Sequence, residues 1–344
     1  MTGSTASGAP GAPDDVEVDI LIVGAGPVGL FGAYYAGFRG LRVAVMDSLS
    51  ELGGQISAMY PEKQIYDIAG FPSIRGRDLV ANLREQADRF DPHYLLGHRA
   101  DSLSAAGDGW VVTSHRGQRV SCGAIVVTGG IGTFTPRPLP AGSEFEGRGL
   151  AYFVPNPDSY AGKDVVIVGG GDSAFDWALG LEPIARTVTL VHRREAFRAH
   201  AHTVSEVQRS TVEILTNSQI SAINGGARVE SVEITHDPTK STRVLAAQEV
   251  IAALGFTANL GPLLTWGIQI IDRRHIPVDT TMSTDVRGIY AAGDITEYPG
   301  KVRLIAVGFG EVATAVNNAA VLLDPSTALF PGHSTDAVPV PAAL

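Results

Sequence analysis

Two glycine turns with the same internal spacing constrain this chain more than any other feature. The second is the more informative: Asp164 to Gly180 reads D-V-V-I-V-G-G-G-D-S-A-F-D-W-A-L-G, an apolar run followed at once by glycines and a helix-compatible segment. A dinucleotide-binding fingerprint requires that context, because a strand must end in a tight turn that opens a helix. Gly169 makes the turn, Gly171 lets the backbone approach a pyrophosphate, and Ala174 permits close helix-sheet packing. Asp172 and Ser173 begin the helix, whose amides take the phosphates. At the end of the next strand such folds usually place a carboxylate against the ribose 2′-hydroxyl. Here that place holds His192, Arg193 and Arg194. Guanidinium forks suit a 2′-phosphate through charge-assisted, often bidentate hydrogen bonds, so the nucleotide read at this turn is NADP rather than NAD.

The first copy follows the strand-like run Val16 to Val23 and reads G-A-G-P-V-G, Gly24 to Gly29, before a helix candidate and a second strand ending at Asp47. One such turn is a weak signal. Its recurrence is a strong one, because Gly24, Gly26, Gly29 and Asp47 map onto Gly169, Gly171, Ala174 and His192 with one constant offset of 145 residues. Asp47 is an acceptor and suits the unphosphorylated ribose of FAD. The fold class expected is therefore α/β, with two Rossmann-like nucleotide-binding domains.

At 344 residues the chain is long enough for two domains with full cores, and its net charge of −10 argues against nucleic acid or an anionic membrane as main partner. The opening M-T-G-S-T-A-S-G-A-P-G-A-P-D-D has neither a basic start nor an apolar core, so residues 1–15 read as a disordered tail and the protein as cytoplasmic. Cys122 is the single cysteine and is expected to be a buried apolar side chain. One sulfur cannot form an internal disulfide, so a dithiol relay of electrons is closed to this chain.

Between the turns, Glu51 to Pro72 is rich in glycine and proline and reads as a long functional loop, with Gln55, Tyr60 and Asp67 as candidates for flavin contact. Asp78 to Phe90 has helical spacing, and Tyr94 to Val127 reads as a small antiparallel meander. The proline-rich Thr135 to Gly142 connects to the second domain, and G-I-Y-A-A-G-D, ending at Asp294, returns the chain to the first. The resulting map is a FAD-binding domain of residues 16–130 and 257–324, an inserted NADP-binding domain of residues 131–256, and an extension over residues 325–344. Glu311 to Leu323 reads as an amphipathic helix whose N-terminal dipole could stabilise negative charge on a reduced cofactor. Lys63, Arg75, Arg77 and Lys301 are the cations available for a docking patch.

The segments G-G-Q-I-S-A-M-Y-P-E-K-Q-I-Y-D-I-A-G-F-P, G-G-G-D-S-A-F-D-W-A-L, H-R-R-E-A-F-R-A-H, A-A-G-D-I and P-G-H-S-T together resemble the thioredoxin-reductase-like ferredoxin-NADP reductases, a bacterial group with the body of a flavoprotein disulfide reductase and no redox disulfide. That resemblance implies FAD and NADP(H) as cofactors, ferredoxin or flavodoxin as partner, and a homodimer. It further implies that Asp294 holds the flavin side chain, that Tyr60 stacks on one flavin face, and that His333 covers the other from the partner subunit's tail, with Thr335 beside it. Arg193, Arg194 and Arg198 correspond to the family's 2′-phosphate site. The chemistry needs a flavin because NADPH gives a hydride while an iron-sulfur protein takes one electron at a time.

Three other readings share the fold. A thioredoxin reductase is rejected by the cysteine count unless another protein supplies the disulfide. An NADPH-dependent flavin or quinone reductase stays open, because a small acceptor leaves no motif. A non-catalytic flavoprotein that senses NADPH stays open too.

Overall fold

The computed structural model describes residues 15–154 and 156–335. The expected tail of residues 1–15 lies outside the described residues except for Asp15, whose carboxylate pairs with Arg119 at 3.3 Å, and residues 336–344 of the extension lie outside them too. The chain divides into two compact units. One takes the chain up to Ser57, Pro61–Thr133 and the chain from Ala258 onward, and the other takes Ala58–Tyr60 and Phe134–Thr257.

The first unit is centred on the strand Val16–Val23, in which Ile20 to Val23 are all buried. A run of four apolar residues without polar alternation belongs in a strand covered on both faces. It pairs in parallel with Val43–Asp47 on one side and Arg119–Val127 on the other, so that Val23 stands opposite Met46 and Val127. The antiparallel meander expected from Tyr94 starts later: His93–Leu96 extends the parallel edge, and only Ala100–Ala106 and Gly109–Ser114 run antiparallel beyond Arg119–Val127. Alternate residues then build two cores. Leu21 and Val23 pack with Met46, Val112 and Trp266 on one face, and Ile20 and Ile22 pack with Val45 and the helices on the other.

Helix α1, Pro27–Phe38, starts on the capping residue Gly26 with Pro27 in its first turn, where a fixed φ favours entry into a helix. The long loop expected after Asp47 contains a short helix, α2, Gln55–Met59, and the two-residue strands Gln64–Ile65 and Ile74–Arg75. Helix α3, Gly76–Asp88, buries Leu79, Leu83 and Ala87, the stripe that the spacing predicts.

The second unit repeats the plan. Five parallel strands run in the order Leu150–Ala151, Glu249–Ala253, Asp164–Gly169, Thr187–Val191 and Glu213–Leu215. Val165 and Ile167 face α4, Asp172–Leu181, through Phe175, Ala178 and Leu181, with Val207 of α5, Ala201–Arg209, in the same cluster. Val166 and Val168 face a three-stranded antiparallel sheet through Ile220, Ile223 and Val232.

On its return to the first unit the chain adds Ile289–Ala291 beside Ile125–Val127 and then α6, Ile305–Leu323. Sequence reading starts this helix at Glu311, six residues late. The I-A-V-G-F-G segment looks like a glycine loop, yet Gly308 is in the helix because a Cβ there would stand 2.5 Å from Val28. The helix is long and apolar enough to cross a membrane by length and composition alone. Its Val312, Ala315, Val316 and Ala319 are fully buried in the core beside α1, which accounts for that composition.

Candidate functional site: two glycine turns

In the first unit, Gly24 adopts φ +119°, and a Cβ built on it would lie 2.6 Å from the Thr128 carbonyl oxygen. Glycine is required there on both counts. The Gly24 N–H donates to Met46 O at 2.9 Å, and the Thr128 hydroxyl donates to Gly24 O at 2.8 Å. A Cβ on Gly29 would fall 1.8 Å from Gly24 O, so α1 can leave the strand this closely only with glycine at that position. Around Gly26, by contrast, a Cβ would meet nothing within 4 Å. No side chain caps the α1 N-terminus, whose first amides face that open space. A cradle that a methyl group would fill, at a helix N-terminus without a side-chain cap, fits a pyrophosphate.

Asp47 reaches back onto the turn. Its Oδ2 accepts the Ala25 N–H at 2.6 Å and its Oδ1 accepts the Leu49 N–H at 2.8 Å. Burial raises its pKa above the ordinary aspartate value, against the opposing pull of the Leu49 and Ala25 amides. Ser48 adds a side-chain and a backbone hydrogen bond to the same carboxylate, which stands at the strand end where such folds meet a ribose. The following loop closes over the same turn: the Gly53 N–H donates to Ala25 O at 2.8 Å, and Gln55 Nε2 lies 3.1 Å from where a Gly130 Cβ would stand. Gln55 is thus brought to the turn. Tyr60 is partly buried and falls with the second unit, and Asp67 is exposed without a hydrogen bond or ion pair among the described residues. Asp294 follows Gly293, which turns at φ +84°, and the Ala292 N–H donates to Val127 O at 3.0 Å. That bond sets the Asp294 turn at the end of the strand that leads into Thr128.

The second turn differs in its upper half. Gly171 also faces open space, and α4 has no side-chain cap. The Ala174 methyl packs against Gly169, 2.8 Å from where a Cβ would be. The His192 ring lies on Gly170, within 2.2 Å of a built Cβ, and its Nε2 is 3.3 Å from Ala196 O. Burial holds the His192 pKa below the ordinary histidine value and the charges of Arg193 and Arg194 push the same way, so the ring is neutral near pH 7. The chain then wraps the turn, with the Arg198 N–H donating to Gly170 O at 2.7 Å and the His200 N–H to the Asp172 carboxylate at 2.8 Å. Ser173 is exposed in the first turn of α4. Arg193, Arg194 and Arg198 are exposed and form no ion pair among the described residues, which leaves three guanidiniums for an external anion.

The tail is held elsewhere. Arg39, just past the end of α1, donates from Nη1 and Nη2 to Ala328 O at 3.0 Å each. His333 is exposed with its ring edge-on to Phe330 at 5.1 Å between centroids, and Thr335 is exposed. The docking cations expected from sequence are committed internally in three cases: Arg75 to Asp78, Arg77 to Glu62, and Lys301, which is only 1% exposed, to Glu311. Sequence reading missed Gly170, whose need is set by a ring 22 residues away. It also missed Glu311 as a buried acceptor; the nearest signal was an acid in an otherwise apolar helix.

Residues 18–319 match the family model described as pyridine nucleotide-disulphide oxidoreductase. A ferredoxin-NADP reductase of Frankia alni is 64% identical over 316 residues, covering 92% of this chain and 98% of that protein. One of Thermus thermophilus is 45% identical over 326 residues, covering 93% and 97%. Among solved structures, the thioredoxin reductase of T. acidophilum superposes with a TM-score of 0.74 at 25% identity, covering 91% of this chain and all of that one.

Proposed function

The chain belongs to the pyridine nucleotide-disulphide oxidoreductases and, within them, to the ferredoxin-NADP reductases; from that premise we propose that it passes electrons between NADPH and a ferredoxin or flavodoxin. When bound, FAD supplies the conversion between a two-electron hydride and single electrons. The observation that carries the reading is the pairing of the two turns. Asp47 offers acceptors to an unmodified ribose, and the Arg193, Arg194 and Arg198 guanidiniums await a phosphorylated one.

In this reading residues 16–130 and 257–324 bind FAD, with its pyrophosphate against Gly24, Gly26 and Gly29, its ribose on Asp47 and its side chain on Asp294. Gln55 and Asp67 border it. Residues 131–256 bind NADPH through Gly169, Gly171, Asp172, Ser173, Ala174 and His192. Tyr60 lies on one face of the flavin ring, and the other is covered by the partner's His333, with the partner's Thr335 beside it. The work of these residues is orientation, since hydride transfer asks no protein acid or base to act.

Two sulfurs in one site are what a thioredoxin reductase needs, and this chain has Cys122 alone, buried, with burial pushing its thiol pKa up to about 12. A homodimer is favoured by the tail. Arg39 anchors it past the C-terminal end of α1, roughly 18 Å along a 12-residue helix from the pyrophosphate cradle. Leu329 and Phe330 are 54% and 60% exposed, so the tail offers an apolar surface that a second copy would cover. The soluble, cytoplasmic reading rests on the net charge of −10 and on the burial of α6 in a core.

The test is NADPH-driven cytochrome c reduction by the purified yellow protein with and without ferredoxin. We expect ferredoxin to raise the rate at least about tenfold, as a specific docked route should. Equal rates, with fast direct turnover of free flavins or quinones, would transfer the assignment to a small-acceptor reductase. Failure to turn over ferricyanide would leave a sensor.

A further inference from the structure

The turn that carries Asp294 is fastened from beneath by a buried ion pair that the reaction as described does not use. Glu311 lies in the second turn of α6 with its side chain 5% exposed. Its Oε2 accepts the Gly293 N–H at 2.7 Å. Its Oε1 accepts both the Tyr298 hydroxyl and the Lys301 ammonium, each at 2.5 Å. The Lys301 side chain is 1% exposed, and its Nζ also lies 5.4 Å from the centre of the Tyr298 ring. Burial and then the bond to Glu311 push the Tyr298 hydroxyl up to about 12, so it stays a donor.

The other side of the turn is equally committed. Gly293 O accepts the Thr296 N–H at 3.1 Å and the Thr296 hydroxyl at 2.8 Å. A Cβ on Gly308 would stand 3.3 Å from the Gly293 Cα, so the first turns of α6 press directly on the loop. Both main-chain polar groups of Gly293 are therefore fixed by buried partners, one residue before Asp294.

Stability alone is a poor reason to keep such a pair, since apolar residues of similar volume often serve as well or better. A carboxylate at this place does something an apolar side chain cannot: it accepts the Gly293 N–H and thereby sets the direction in which the chain delivers Asp294. Lys301 then cancels the buried charge.

We propose that Glu311 is a positioning residue for the flavin, holding the Gly293-Asp294 turn in register through its amide, and that Lys301 and Tyr298 hold Glu311 and keep this side of the flavin site electrically neutral. The inference rests on the reading of Asp294 as the residue that holds the flavin side chain. It assigns a function to three residues that the surface-patch reading of Lys301 obscured.

The experiment titrates the apoprotein with FAD, read by quenching of flavin fluorescence, and measures the midpoint potential of the reconstituted protein. Glu311→Gln and Lys301→Met are each expected to weaken FAD about ten- to hundredfold, the scale for one buried group left unpaired. Combining them restores neutrality and should recover most of the affinity. The two single substitutions should move the midpoint potential in opposite directions, upward with the ammonium uncompensated and downward with the carboxylate uncompensated. Unchanged FAD affinity in Glu311→Gln, or shifts of the same sign, would overturn the proposal, since a purely structural pair has no reason to separate by charge. If Glu311→Gln does not fold, Lys301→Met and Tyr298→Phe carry the affinity comparison, and normal FAD binding in both is equally fatal. Asp294→Asn separates the premise from the inference. Intact FAD binding there removes the role of Asp294, and weakened binding beside an unaffected Glu311→Gln removes only the role of Glu311.

Discussion

The two nucleotide turns of this chain share a main-chain design and part company at the side chains laid on it. In the first, a carboxylate returns from the next strand and takes the Ala25 N–H, a contact with backbone alone, so the middle of the turn tolerates a methyl group. In the second, an imidazole ring returns and rests on the turn itself, and Gly170 replaces alanine because no Cβ fits under His192. One strand end therefore delivers an acceptor, and the other delivers a ring followed by guanidiniums. On the proposed reading, selection between ribose and ribose 2′-phosphate lies outside the glycine motif, in what the following strand brings back to it.

The comparison breaks most severely at the third motif position. Gly29→Ala places a Cβ 1.8 Å from Gly24 O, which α1 can relieve only by moving off the strand. Overpacking of this kind costs typically about 1 to 3 kcal/mol and occasionally more. Since the cradle for the pyrophosphate moves with the helix, the variant is expected to purify colourless or to lose FAD on dilution. Visible absorption and a thermal melt measure both effects, and a stable yellow protein would mean that the first turn is looser than its geometry.

The second break concerns selection. Arg193→Ala with Arg194→Ala should raise the NADPH KM by roughly ten- to hundredfold for each charged hydrogen bond lost, while the NADH KM hardly changes. Equal changes for both nucleotides would show that the guanidiniums do not read the 2′-phosphate. A compensating gain for NADH is not expected, because removing a cation supplies no acceptor of the kind Asp47 offers the other ribose.

The sequence carried the turns and their selecting residues because main-chain geometry and charge type are local properties, written within some 25 residues at each site. Other features depended on partners that spacing does not announce. Lys301 looks solvated beside Pro299 and Gly300, yet its ammonium is buried on a carboxylate ten residues ahead, inside a helix whose start was read too late. The late start has a physical cause, since glycines at 308 and 310 signal a loop until one sees that Val28 leaves no room for a side chain at 308. Arg75 and Arg77 likewise look available until Asp78 and Glu62 are found beside them. Tyr60 was legible as an aromatic in a long glycine- and proline-rich loop, but its grouping with the second unit was not.

The smallest expected effect sharpens the comparison from the opposite direction. Ala174 occupies in the second turn the place of Gly29 in the first, is fully buried, and sets its methyl against Gly169. The second helix therefore stands slightly farther from its strand, with room for one carbon that the first cannot admit. Ala174→Gly removes that methyl and adds glycine's backbone entropy inside α4, a loss of about 1 to 2 kcal/mol. Nothing in the phosphate cradle changes, because Gly171 and the α4 amides keep their places, so the NADPH KM should stay within about threefold, or about 0.6 kcal/mol. Denaturant unfolding and steady-state kinetics together decide the matter. A tenfold rise in the NADPH KM without further loss of stability would mean that the methyl orients the nucleotide, and the third motif position would then differ between the two turns in function as well as in packing distance.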